Sequence, residues 1–163
     1  MAIRIYVANL AKYTEGKLVG KWIDLPCLDL DKKIEEILGD DEEYTIHDSE
    51  CDLDGLEIEE CSNLHELNEM AEKIEGLHNN DLLRISYLLD DHGMEFEDAL
   101  AYYEDVTVYE HMTLIEVAEE LVDSGCFGDI QDSLRNYIDY EAIARDLSHD
   151  SYFEKNGNVF YYV

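Results

Sequence analysis

Carboxylates are the functional groups this sequence holds in excess: forty-one Asp and Glu against eleven Lys and Arg in 163 residues, a formal charge of −30 at pH 7. Two carboxylates in a cleft can share general acid and base roles when their surroundings push their pKa values apart. Forty-one candidates single out no such pair. The motifs that seat a nucleophile, a metal or a phosphate are also missing: the chain has no GxSxG, HExxH, Walker loop or GxGxxG. His47, His65, His78, His92, His111 and His149 are scattered without ligand spacing. No constellation meets the nucleophile, base and stabiliser test, so we expect a protein that is not an enzyme.

One stretch resembles a calcium loop. In ECDLDG, Glu50, Asp52, Asp54 and Gly55 occupy positions 1, 3, 5 and 6 of an EF-hand, but position 12, which needs a bidentate Glu, is Cys61. The run reads as an acidic turn. Cys27, Cys51, Cys61 and Cys126 show neither CxxC pairing nor zinc-like spacing, and are expected as reduced thiols, mostly packed as small hydrophobes. No cofactor and no metal are expected.

What remains is the field of the charges themselves. Residues 1–33 carry six bases and four acids, whereas residues 34–163 carry five bases and thirty-seven acids. Such a surface repels nucleic acid and anionic lipid and attracts basic clefts from a distance, so no direct binding of nucleic acid is expected. Duplex DNA carries one charge per roughly 1.7 Å of axis, so thirty charges correspond to roughly 50 Å of duplex. A solvated face or adaptation to high salt would give the same composition; the magnitude favours a functional field. Apolar residues at 46% are enough for a folded core. No run approaches a membrane span, and MAIRIYVANLAKY lacks the apolar core of a signal peptide, so a cytoplasmic location is expected.

The elements that must carry this field divide into three small subdomains of an α+β chain: 1–60, 61–104 and 105–163. In the first, Ile3, Ile5 and Val7 alternate with Arg4 and Tyr6 as in a half-buried strand. A loop through Thr14-Glu15-Gly16 leads to a second strand over 18–23. Asp29 or Asp31 caps a helix with Ile34, Ile37 and Leu38 on one face, and further strands fall at 44–47 and 56–58. The middle is helical. Asn63 and Glu66 have capping-box spacing ahead of Leu64, Leu67, Ala71 and Ile74, and helices over 81–91 and 95–103 follow. The last part mixes a strand at 106–109, a helix begun by Thr113 and Glu116, short helices at 133–137 and 139–147, and a hairpin turned by Asn156-Gly157. Spread along an elongated chain, the charges repel one another less than in a compact globule. Arg135 and Arg145 are expected to pair with local acids such as Asp139 and Asp146. Gly125 and Gly128 bracket Cys126-Phe127, either a glycine C-cap packed on its own domain or a self-association contact.

The sequence resembles the ArdA antirestriction family over nearly its whole length. The likeness is carried by IYVANLAKYTEGKLVGKWIDLP (5–26), YTIHD (44–48), LIEVAEELVDSGCFGDI (114–130) and LRNYIDYEAIARDL (134–147). The resemblance implies a homodimeric DNA mimic from plasmids and conjugative transposons that inhibits Type I restriction–modification enzymes by occupying the DNA groove of the methyltransferase core. It implies no catalysis, three small domains, and a dimer contact in the C-terminal part, for which Tyr109, Cys126 and Phe127 are the candidates. Lys12, Lys17 and Lys21 keep the N-terminal end less acidic than the rest. For the partner surface the candidates are a distributed set, illustrated by Asp81, Asp90, Asp91, Glu95, Glu97, Asp98, Glu116, Glu119, Glu120 and Asp123. The competing expectation is an acidic adaptor or low-affinity cation-binding protein with no DNA-binding target; displacement by duplex DNA separates the two.

Overall fold

Alternation of Ile3, Ile5 and Val7 with Arg4 and Tyr6 produces the expected strand, and the three aliphatic residues are fully buried. The computed structural model describes residues 3–163. It places β1 (Ile3–Asn9) at the centre of an antiparallel sheet, between β2 (Gly20–Leu25) and β3 (Tyr44–Cys51). Mixed α+β architecture follows: eight α-helices and two antiparallel three-stranded sheets among the described residues. The chain divides into two compact units, Met1–Leu100 and Ala101–Val163.

In the first unit the segment after β1 is a short helix, α1 (Leu10–Thr14), rather than the start of a loop. Asn9 explains the difference. Its Oδ1 accepts the Lys12 N–H at 3.0 Å, the N-cap bond that starts a helix where the strand stops. Its Nδ2 donates to the carbonyls of Ile37 and Leu38 at 3.3 and 3.0 Å, which end α2 (Leu30–Leu38), and to Asp41 Oδ2 at 3.0 Å. One buried amide thus joins a strand end, a helix start and a helix end. β3 runs on to Cys51, past the expected end at His47, because the β1 pairing skips that residue: Tyr6 faces Asp48 and Val7 faces Ile46. His47 is bulged out and lies against Tyr13 with ring centroids 4.4 Å apart.

No strand forms at 56–58. The chain turns there instead, with Gly55 at φ +84°, where a Cβ would stand 2.5 Å from the Asp90 nitrogen. That close approach holds the acidic turn against α4 (Asn79–Asp90), and the Asp54 N–H donates to Ser86 Oγ at 3.1 Å. Glu50, at position 1 of that acidic run, lies 3.3 Å from Arg4 Nη1. α3 (Leu64–Ile74) buries Leu64, Leu67, Ala71 and Ile74 as its spacing predicts, and its Asn68 accepts the Cys27 N–H at 2.6 Å. α4 begins at Asn79, two residues before the expected start, and α5 (Phe96–Tyr102) leads into the second unit.

The second unit opens with β4 (Thr107–Tyr109), and α6 (Leu114–Asp123) follows with a complete capping box. Thr113 Oγ1 accepts the Glu116 N–H, and Glu116 accepts the Thr113 N–H at 2.8 Å. α7 (Asp132–Arg135) is a single turn, and Asp139 caps α8 (Tyr140–His149). Its carboxylate accepts the Ala142 N–H, and Arg135 pairs not with it but with Asp123 and Asp132. The hairpin β5 (Tyr152–Lys155) and β6 (Asn158–Tyr161) turns on Asn156 and Gly157, both at positive φ as a type I′ turn requires. Val117, Ala118, Leu121, Ala144, Leu147 and Val159 form the core, with Tyr109 and Tyr152 packed against it.

That core has a pH signature. Burial, foremost, pushes Tyr152 up to about 12, and raises Tyr109 as well. A phenol whose folded pKa lies above its unfolded value, near 10, stabilises the fold below pH 10, and the contribution is lost as pH rises through the folded value. The second unit is therefore expected to lose stability between pH 10 and about 12. Absorbance titration of tyrosinate should show Tyr152 ionising only with unfolding; its ionisation near pH 10 in the folded chain would contradict this packing.

Candidate functional site

The candidate site is a surface rather than a cleft, and it is built by the same periodicities that make the core. None of the forty-one carboxylate residues is buried; thirty-nine are exposed, and Asp41 and Asp81 are partly covered. Amphipathic helices account for this. With Leu64, Leu67, Ala71 and Ile74 turned inward on α3, Glu66, Glu69 and Glu72 are left on its exposed face. Three residues advance a helix by ~4.5 Å, so that row is nearly as dense as the phosphates of one DNA strand, which rise ~3.4 Å each. α6 repeats the arrangement, with Val117, Ala118, Leu121 and Val122 inside and Glu116, Glu119, Glu120 and Asp123 outside.

The bases are distributed to opposite effect. The first unit holds twenty-seven acids and eight bases, the second fourteen acids and three bases. Most of the bases face a carboxylate at once: Arg4 meets Asp24 and Glu50, Lys12 meets Asp41, Lys17 meets Glu15, and Lys21 meets Glu36. Lys33 meets Asp29, Lys73 meets Glu97, and Arg84 meets Asp81. The cations are spent locally, and the anionic surplus faces outward.

Within that surplus the candidate residues separate by what else they do. Asp81 accepts the His78 N–H at 3.4 Å at the start of α4 and lies 3.6 Å from Arg84. Glu116 closes the α6 capping box, and the Thr113 N–H and hydroxyl hold its carboxyl below the usual carboxylate range. Glu97 and Asp123 are taken up by Lys73 and Arg135. Asp90 and Asp91 sit at the end of α4, and Glu95 and Asp98 at the start of α5. Glu119 and Glu120 stand on the open side of α6. So the set is one of surface positions on and beside helices of both units, all exposed but the partly covered Asp81, and part of it is committed to the fold. The α3 row was not among the candidates, although its three-residue spacing was readable in the sequence.

Tyr109, Cys126 and Phe127 do not share an environment. Tyr109 packs on the core of the second unit with its ring centroid 6.4 Å from that of Tyr152, whereas Cys126 and Phe127 are exposed. Gly125 is a glycine C-cap: its N–H donates to the Val122 carbonyl, and the Cys126 N–H to that of Leu121, the two bonds of a Schellman motif. The cysteines are all free, but only Cys27 is buried and Cys51 partly so; Cys61 and Cys126 stand exposed in turns, against the expectation that most would be packed. Among the described residues no three His, Cys, Asp or Glu are grouped so as to hold a metal ion, and no helix is long and apolar enough to cross a membrane.

The sequence model of the family described as antirestriction protein (ArdA) matches residues 5–160, which takes in nearly all of both units and all forty-one Asp and Glu. No curated protein matches the chain.

Proposed function

The chain belongs to the antirestriction protein (ArdA) family, and from that premise we propose that it inhibits Type I restriction–modification enzymes by presenting a DNA-like carboxylate surface to the DNA-binding groove of the methyltransferase core. The observation that carries this reading is that all forty-one carboxylates lie at the surface while most of the bases are consumed in ion pairs. A cleft lined with Lys and Arg to hold phosphates meets the same sign and a similar density of charge. This reading requires no catalysis. The protein acts by occupancy in the cytoplasm, where its target meets DNA, and it acts as a homodimer. The second unit exposes Leu134, Tyr137 and Phe153, apolar side chains of the kind that interfaces between copies cover.

Competition tests the reading. Purified methyltransferase core immobilised on a support should retain the protein, and duplex DNA containing the recognition sequence should displace it as its concentration rises. Retention that duplex DNA leaves unchanged would mark an adaptor bound elsewhere, and no retention would remove the proposed target.

A further inference from the structure

A distributed field gives attraction, but it does not by itself fix register. The second unit holds a feature that could. Phe127, Ile143 and Leu147 line a groove of about 240 Å³ whose remaining wall is Asp146 and Asp150. Leu147 is buried and forms the floor, Ile143 is partly covered, and Phe127 stands 55% exposed at the mouth. The exposure of Phe127 follows from its backbone: it is trapped between the Schellman cap at Gly125 and a second positive-φ glycine, Gly128. An apolar floor, an aromatic ring and two carboxylates in one depression are complementary to one kind of side chain. A long apolar stem packs on Ile143 and Leu147, a planar cation stacks on the Phe127 ring, and the two carboxylates take its charge.

Arg135 does not fill this place, since it is held by Asp123 and Asp132. Nor does the depression beside Pro26 in the first unit offer the same opportunity. It is lined by Asp24, Asp52 and Glu75, but Asp24 is already paired with Arg4. A water occupies ~30 Å³ in the liquid, so the groove of the second unit holds a side chain rather than one ion.

We propose that this groove receives an arginine side chain from the basic DNA-binding surface of the target enzyme, and so acts as an anchor within the acidic field. The proposal rests on the reading of the protein as an inhibitor of a DNA-binding enzyme. Arginine is favoured over lysine because the ring, the floor and the paired acceptors match a planar guanidinium with several donors.

Two measurements separate the anchor from the premise. In the first, Nα-acetyl-arginine amide is titrated into the full-length protein and methyl and aromatic NMR shifts are followed. We expect saturable shifts at Phe127, Ile143 and Leu147, weaker ones with the lysine analogue, and none in Phe127→Ala; shifts spread evenly over the acidic surface would overturn the proposal whatever the protein's target. In the second, affinity for the methyltransferase core is measured for Phe127→Ala, for Asp146→Asn/Asp150→Asn, and for Glu119→Gln/Glu120→Gln, which removes the same charge elsewhere. The first two variants should each bind about tenfold more weakly, as interface anchors do, and the third should lose much less. Equal losses from the two charge pairs, with Phe127→Ala unchanged, would leave only the diffuse field. A shift of Phe127→Ala to monomer in light scattering would assign the groove to a second copy of the chain and overturn the proposal in that way.

Discussion

Replacing Asn9 with alanine is expected to destabilise the first unit by about 3 kcal/mol, because buried polar groups left without partners cost roughly 1–3 kcal/mol each. Asn9 is 1% exposed, and four groups depend on its amide: the Lys12 N–H, the Ile37 and Leu38 carbonyls, and the Asp41 carboxylate. Alanine fills none of these roles and opens no path for water to all of them. Asn9→Asp keeps the acceptor for Lys12 but turns a second carboxylate toward Asp41 and the end of α2, where the helix dipole is negative, so it should be at least as damaging. Urea unfolding followed by the fluorescence of Trp22, the single tryptophan, reads this unit directly. The effect has a pH dependence of known sign. The bond from Asn9, and after it Lys12, holds Asp41 below its ordinary range. A depressed carboxylate contributes stability that is present above its unfolded pKa, ~4, and lost as pH falls through the folded value. The gap between wild type and Asn9→Ala should therefore narrow below pH 4. A gap of less than 1 kcal/mol at neutral pH would mean that the amide network is not what joins strand to helices.

How much of this was legible depended on whether the signal was periodic or singular. Helices α3, α6 and α8 were readable because their apolar residues recur at three and four and their caps are Asn63, Thr113 and Asp139. The hairpin was readable because Asn156-Gly157 takes a turn that few other pairs adopt. What escaped was decided by single long-range contacts. α1 is five residues long, too short for a period, and rests on Asn9 bonding across to residues 37–41. The supposed strand at 56–58 has suitable residues, but Gly55 seats that segment on α4 instead of at a sheet edge. The bulge at His47 leaves no local trace, since a strand with and without it has the same composition.

The candidate surface followed the same division. That the carboxylates would be outside could be inferred from amphipathicity alone. Which of them are bound up with the fold could not, because Asp81 and Glu116 differ from Glu119 only in what their oxygens meet. The groove beside Phe127 joins residues from a cap and from a helix twenty residues on, and nothing in either segment announces the other.

Neutralising carboxylates one at a time should barely change inhibition, and neutralising six together should reduce affinity by about a hundredfold. Exposed charge pairs are typically worth ~0.2–1 kcal/mol each, so one substitution changes binding by a factor of about five at most. Six at ~0.5 kcal/mol amount to roughly 3 kcal/mol, a little more than a hundredfold. The structure says which six to take. Glu42, Glu57, Glu69, Glu75, Glu119 and Glu120 are exposed, start no helix and stand in none of the ion pairs described above, so their amides should leave the fold intact. Glu75 lies at the C-terminal end of α3, where losing a negative charge favours the helix. Asp81 and Glu116 are poor choices, since a loss there would mix a weakened helix start with a weakened field. Salt should report the same thing independently. Affinity for the methyltransferase core should fall as salt rises, and the six-fold variant should depend on salt less steeply than the wild type. The slope should also be shallower than that of duplex DNA, whose condensed counterions come from uniform close spacing. Inhibition of a Type I enzyme by the single and combined variants across a salt series, with circular dichroism to verify folding, measures both. If one of these six substitutions alone abolished inhibition in a folded protein, the function would reside in a discrete site, because a field shared among forty-one carboxylates cannot be lost with one of them.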